Sequence, residues 1–514
     1  MNMKFTSILW LPLVCLMLVL GSCSGSLLAP AKSRSSFAPL QKYSPEQLKQ
    51  DFDLMKEVME KFHPSVYWYT PKDSMEKIFS FYRSAITDSM TEQQYGFKIL
   101  APVITSVRCG HTSFNYSKKY SKAMQGIRLP SFPLSVKVWG DSMMVTGNLN
   151  KKDSVIKRGM LLNSIDGFSV QEITSIMFRY LPTDGYAENI NYIRLSNSFP
   201  YYHRNIFGLK KNYSVNFTDS TGISRTIDIP LFDPMADTMK RIKPEKKTKP
   251  EKRSKQDRLN DQRSFRINNE TSSAIMELNT FDGGAGLEKF FKRSFKSIHK
   301  NGIENLVIDI RNNGGGRVNY YAKLARYIRK TPFKVADTAY ALKKGFGKYG
   351  KYFSTRTLNS FALGLFTSKR TDGLRHFNYW ENHTFKPKKK YFFDGRVYVL
   401  IGGPTFSAST LFAQTVKGQD NIKLIGEETG GGSHGNNGLM IPYITLPNTG
   451  MRVRMPLFRV IQYNHPPKTG RGVTPDIYVP PTSKAVLNFT DLKMQKAFEL
   501  ISEEKQRTAK KLAN

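Results

Sequence analysis

From residue 272 the chain alternates short apolar runs with helix-patterned segments, and two of those runs end abruptly in glycine. The runs are "SSAIMELNTF", "NLVIDI", "RVYVLIGG" and "IKLIGE". Between them "GLEKFFKRSFKSIHKNG", "VNYYAKLARYIRK" and "SASTLFAQTVKG" carry helical spacing. A run with no polar face fits a strand covered on both sides, and strands separated by helices need crossover connections. Residues 267–485 are therefore expected to form an α/β sheet. Residues 339–390 interrupt the alternation with an aromatic, basic insertion that the pattern does not place, and 486–514 reads as a C-terminal helix or tail.

The glycine ends carry the chemistry. "NLVIDIRNNGGGR" brings Gly314, Gly315 and Gly316 to the mouth of the sheet, where a backbone without Cβ can approach a ligand closely. "IGGPTFSAST" does so again and adds a hydroxyl at Ser407, at an expected strand-to-helix turn. A serine there can attack an acyl carbon while the next amide, Ala408, and one from the neighbouring glycine turn stabilise the oxyanion. The plainer alternative is that Ser407 caps the helix that begins at Ala408.

The N-terminal portion bears on compartment. "MNMKFTSILWLPLVCLMLVLGSCSG" has a lysine, an apolar stretch and a small-residue end, the pattern of an export signal over 1–22. Leu20-Gly21-Ser22-Cys23 resembles the bacterial lipobox, which implies lipidation of Cys23 and a membrane contact through that lipid. The expected location is the cell envelope. No later stretch holds 18 consecutive apolar residues. With Cys15 in the signal and Cys23 lipidated, Cys109 stands alone, which excludes an intramolecular disulfide in the processed chain.

Residues 23–42 read as a tether and 43–118 as a helical region. Ser44, Pro45 and Gln47 give a helix start, and Leu48, Phe52, Met55, Met59 and Phe62 a helical stripe. Residues 127–232 read as hairpins, and 240–266 as an exposed linker with 12 basic and 4 acidic residues. The formal charge is +37. That excess is spread along the chain with no nucleic-acid motif beside it, so nucleic acid is not an expected partner.

Within 127–232, "RGMLLNSIDGFSV" resembles the core of PDZ domains. The set "VIDIRNNGGG", "GGPTFSAS", "IGEETGGG" and "GRGVTPDI", in that order, resembles the tail-specific (C-terminal processing) and tricorn-core serine peptidases. The resemblance implies a ClpP/crotonase-like catalytic domain behind a helical region and a PDZ-like β-rich domain. It implies Ser407 as nucleophile, with oxyanion amides at Ala408 and at Gly314 or Gly315. Processing peptidases place a lysine base where this chain has Gly432, in Gly426-Glu427-Glu428-Thr429-Gly430-Gly431-Gly432, so a Ser/Lys dyad is excluded at that position. The tricorn-like branch uses a histidine in a "G-H-S/T" setting, matched by Gly110-His111-Thr112, with His434 as rival base. The glutamate that this branch carries before "G-V-x-P-D" is missing. Thr469 is the nearest polar equivalent, and Glu427, Glu428 and Asp476 are substitutes. No cofactor and no metal are expected, since Cys109 and His111 alone make a poor zinc site. The substrates implied are peptides or unfolded protein segments, homo-oligomerisation is left open, and a non-catalytic peptide-binding protein of the same fold is the alternative.

Overall fold

The computed structural model describes residues 38–235 and 253–513. The export signal, Cys23 and most of the tether lie outside those residues, as do positions 236–252, which include residues 240–252 of the linker.

The apolar runs form one six-stranded sheet. Its strands follow chain order: β1 (Arg263–Asn268), β2 (Ser273–Leu278), β3 (Asn305–Asp309), β4 (Arg396–Ile401), β5 (Ile422–Gly426) and β6 (Ile477–Tyr478). β1 is antiparallel to β2, and every later pair is parallel. Side chains alternate between two buried layers. Ala274, Met276, Leu306, Ile308, Val397 and Val399 face a large core shared with the helices Leu287–Lys300, Val318–Ala325 and Ala408–Val416. Ile275, Val307, Tyr398, Leu400 and Ile425 face the opposite way, onto Ala497 and Ile501 of the C-terminal helix Leu492–Ala513. Both faces are covered, which is why the runs lack a polar side.

The expected linker is corrected in its described part. Lys255–Gln262 is a helix with a Ser254/Asp257 capping box, and Arg263–Asn268 is the edge strand β1. The local charge pattern hid a strand whose register against β2 is continuous from Arg263↔Leu278 to Asn268↔Ser273.

The insertion 339–390 has a place after all. Ala336–Ala341, Ser368–Lys369 and Arg375–His376 join Gly435–Asn436 and Phe458–Gln462 in a five-stranded sheet. Phe346, Tyr349 and Phe353 of the insertion surround Phe62, the last residue of helix Pro45–Phe62, at centroid separations of 5.4 to 5.8 Å. The helical region and the insertion thus share one core with Leu48, Phe52, Met55 and Met59.

Residues Leu134–Pro230 hold the antiparallel sheet read as hairpins, together with a helix Asn189–Phe207 that the hairpin reading did not include. That helix kinks at Ser198, just before Pro200. The loop between helix Val170–Phe178 and helix Asn189–Phe207 reaches the segment that precedes β6: Tyr186 N–H donates to Gly470 O at 2.7 Å. A small sheet ties down a further segment. Ser113–Asn115 pairs with Arg452–Arg454, which pairs with Tyr443–Thr445. No helix among the described residues is long and apolar enough to cross a membrane.

Candidate active site

β3 and β4 are parallel neighbours, with Asp309 opposite Leu400, so both glycine turns leave the same edge of the sheet. This is the edge where open α/β sheets bind ligands. Asn313 joins the two turns. Its carbonyl accepts from Phe406 N–H at 3.1 Å and its Oδ1 from Gly315 N–H at 3.0 Å.

Ser407 stands where β4 turns into helix Ala408–Val416, with φ 54° and ψ −124°. A positive φ at a non-glycine residue is strained and persists only when its surroundings impose it. Gly315, at φ 104°, packs directly against this turn: a Cβ added there would lie 2.7 Å from Ser407 Cβ and 3.0 Å from Ala408 N. In this conformation the Ser407 side chain makes no capping hydrogen bond to its helix. The capping alternative therefore fails. Ser409, the second serine of the element, is fully buried. Ser407 lines a cavity of about 330 Å³ with Gly316, Ala408, Trp380, Asn436 and Leu439. Among the described residues the amides of Ala408, Gly314 and Gly316 donate to no backbone or side-chain acceptor. Gly315, one of the two glycines assigned to the oxyanion hole, has its N–H committed to Asn313. Gly316 is the glycine that shares the cavity with Ser407 and Ala408.

The histidine arrives from the other end of the chain. After helix Ala101–Ser106, Arg108 takes φ 56° and Thr112 N–H closes a turn onto Cys109 O at 3.0 Å. The strand Ser113–Asn115 then fixes the turn to the catalytic domain. A Cβ on Gly110 would lie 2.8 Å from the Phe406 ring and 3.1 Å from Asp184 N, so only glycine fits. His111 is 2% exposed, and its ring lies 4.6 Å from that of Phe406, the residue before Ser407. Its Nδ1 is 3.5 Å from Asp184 Oδ1. Neither ring nitrogen makes a hydrogen bond, so the contact from His111 to Ser407 is not closed in this structure.

Asp184 is the acid that the sequence reading missed. Its Oδ1 accepts from Gly110 N–H at 2.8 Å, and Gly185 N–H donates to Arg108 O at 2.9 Å, so the 184–185 turn clasps the histidine segment. Nothing in "PTDGYAE" signals this, because an Asp-Gly pair in a loop reads as an ordinary turn.

The candidates for a third member are engaged elsewhere. Glu427 Oε2 pairs with Lys493 Nζ at 2.5 Å. Thr469 Oγ1 accepts from Arg471 N–H at 3.2 Å. Glu428 accepts from Gly472 N–H at 2.5 Å, and Asp476 Oδ2 from Leu424 N–H at 2.8 Å. His434 stacks on Trp68, and its Nδ1 meets the Pro466 carbonyl.

The buried charges influence one another. Burial, the largest influence on His111, favours the neutral ring, but the Asp184 carboxylate and then the Cys109 thiol outweigh it and raise the pKa to about 9. Burial would push the Cys109 thiol up, yet its contacts with His111 and His63 bring it down to about 5. Asp184 is likewise held below the ordinary carboxylate range: burial opposes this, and the His111 charge, the Gly110 amide and Arg459 prevail.

A serine in a strained turn at the edge of the sheet, beside amides that donate to no acceptor, with a His–Asp pair packed against the residue before it, is the layout expected of a serine hydrolase. Residues 272–479 match the model of Peptidase family S41, and the domain they form is that of a serine peptidase of this family. The motifs that suggested tail-specific peptidases fall inside that match. Among solved structures, mature CPAF complexed with lactacystin is 14% identical at a TM-score of 0.59, covering 90% of this chain and 98% of CPAF. A second crystal structure of mature CPAF gives 14% and 0.58, covering 89% and 96%, and the CPAF s499a mutant 13% and 0.57, covering 89% and 96%. At such identity these likenesses establish the fold. No curated protein matches the chain in sequence.

Proposed function

We propose that this chain is an exported serine endopeptidase, held at the cell envelope by lipid on Cys23, that cuts peptides or unfolded protein segments through an acyl-enzyme on Ser407. The observation that carries the catalytic part is the strained Ser407 turn, which leaves the hydroxyl uncapped in a cavity shared with Ala408 and Gly316. Ser407 Oγ attacks the scissile carbonyl as His111 takes its proton. Ala408 N–H and a glycine-turn N–H receive the oxyanion, and His111 returns the proton to the leaving amine. Asp184 holds the imidazole and stabilises its charged form. The contact between His111 and Ser407 closes with substrate, as catalytic hydrogen bonds do that are long in the free enzyme. The PDZ-like reading of 127–232 gives this region the task of holding an extended substrate segment. Support for export and lipidation comes from the residues 1–23 alone.

One observation favours the alternative of a non-catalytic peptide binder: the Phe406 ring lies against His111, and the ring nitrogens make no hydrogen bond. A fluorophosphonate probe separates the two. Labelling of Ser407 that disappears in Ser407→Ala and falls in His111→Ala is the expected result. A folded wild-type chain that takes no label identifies a binder. Lactacystin, the ligand in a CPAF structure, is a second probe for the same serine.

A further inference from the structure

We propose that Cys109, His111 and Asp184 form a binding site for a thiophilic divalent cation of the zinc class, and that its occupancy switches the peptidase off. The second half rests on the reading of His111 as the general base. The sequence offered two ligands, Cys109 and His111; the fold adds a third from 73 positions further along. One ligand atom from each of the three lies within 4.8 Å of the others. Thiolate, imidazole and carboxylate are the donor types zinc accepts, with three protein ligands and an open fourth position. Ligand atoms around a tetrahedral zinc with bonds of 2.0–2.3 Å stand ~3.4 Å apart. The His111–Asp184 pair already has 3.5 Å, close to that spacing.

The second observation is the state of the polar atoms. Cys109, His111 and Asp184 are 0%, 2% and 3% exposed, and both ring nitrogens of His111 and Asp184 Oδ2 have no hydrogen-bond partner. Buried polar atoms are ordinarily satisfied, and each exception calls for an explanation. A cation would satisfy one ring nitrogen of His111 and the Asp184 carboxylate together. The surrounding groups orient the ligands as outer partners of metal sites do. Asn437 Nδ2 donates to Cys109 Sγ at 3.1 Å, with its own Oδ1 held by Ser65 Oγ at 2.6 Å. Gly110 N–H fixes Asp184 Oδ1. Gly110 and Pro182 line a cavity of about 420 Å³, which brings solvent to within two residues of the cluster.

The inhibition follows whichever ring nitrogen binds the metal. A neutral imidazole has one nitrogen lone pair to offer and a proton on the other nitrogen. Once a cation takes that pair, nothing is left to accept the Ser407 proton. Binding is proton-balanced: the Cys109–His111 pair carries two protons in either form, thiol with imidazole or thiolate with imidazolium; one leaves as the cation enters, and the other stays on the ring nitrogen that does not bind it.

The test titrates Co(II) and Zn(II) into the full chain purified with chelator and then desalted. Co(II) is expected to give one equivalent of tetrahedral spectrum with a sulfur-to-metal charge-transfer band. Zn(II) is expected to displace it. The band should vanish in Cys109→Ser, Co(II) affinity should fall at least ~10-fold in Asp184→Asn, and the spectrum should persist in Ser407→Ala. Near-native circular dichroism of each variant is required, and Cys109→Ala serves if Cys109→Ser unfolds. In parallel, Zn(II) should slow fluorophosphonate labelling of Ser407 at least ~10-fold, with recovery on chelation. Labelling that proceeds unchanged in Zn(II), or a Co(II) spectrum without sulfur character, overturns the proposal. A Co(II)–thiolate spectrum in a chain that never labels leaves the metal site standing and overturns the peptidase reading instead.

Discussion

Asp184 Oδ1 lies 3.5 Å from His111 Nδ1, and both side chains sit almost wholly inside the protein, although they come from two separate regions outside the catalytic sheet. The acid that faces the histidine therefore comes from the loop 180–188 and not from the segment before "GVTPD".

Asp184→Asn keeps the volume and removes the charge. Without the carboxylate His111 loses its orienting partner, and the charged ring formed during attack loses its stabilisation. The rate of Ser407 labelling should fall on the order of 10³-fold. The His111 pKa should fall as well, because Asp184 is the chief influence raising it, and a titration followed by imidazole NMR reads that directly. Glu427→Gln should disturb only the contact with Lys493 and leave labelling within a few-fold of wild type.

Gly315→Ala tests the close approach of the two glycine turns at Ser407. The new methyl would stand 2.7 Å from Ser407 Cβ, at a backbone φ of 104° that alanine rarely adopts. Destabilisation of about 1–3 kcal/mol and a loss of labelling of ~10²-fold or more are expected, measured by denaturant melts and probe kinetics. Gly284→Ala, where a Cβ meets open space, is the matched control.

The pH profile of labelling, recorded with chelator present, has a definite sign. His111 must be neutral to take a proton, and its pKa is raised to about 9. The rate should therefore climb as pH rises through about 9, well above the ordinary histidine range of about 6.5. The groups that set this are Asp184 and Cys109 around the ring, with Arg459 acting on Asp184 and His63 on Cys109. Cys109→Ser removes one of the raising partners and should move the rising limb to lower pH. A limb centred near 6.5 in wild type would contradict this account of the site.

His203 gives a stability prediction away from the site. It stacks on Phe132 and Phe207 and meets Tyr213 edge-on, and burial, the main cause, lowers its pKa to about 4. Its folded pKa lies below the unfolded value, so the unfolded chain takes the proton first. Stability should be lost as pH falls from about 6.5 toward 4, by on the order of 3 kcal/mol, and be flat in this respect above that window. His203→Leu should remove that slope, as read from urea midpoints at several pH values.

The catalytic sheet was legible because its strands are buried on both faces and so spell apolar runs, and because glycine marks both turns at the site. The oxyanion assignment was half legible. Which glycine amide stays free depends on Asn313, and a side-chain hydrogen bond to Gly315 leaves no periodic trace. Strand β1 was hidden by charge, since an edge strand beside a basic stretch needs only alternate apolar residues such as Phe265 and Ile267. Asp184 could not be found from spacing. Its role comes from a loop of one region docking on a turn of another, a relation that exists only once both have folded.

The most direct test of the central claim is mass-spectrometric mapping of a fluorophosphonate adduct on the full chain, in chelator-containing buffer near pH 9. The account predicts one modified residue, Ser407, no adduct in Ser407→Ala, and a rate reduced by orders of magnitude in His111→Ala. An adduct on another serine, or equal labelling of wild type and His111→Ala, would contradict it.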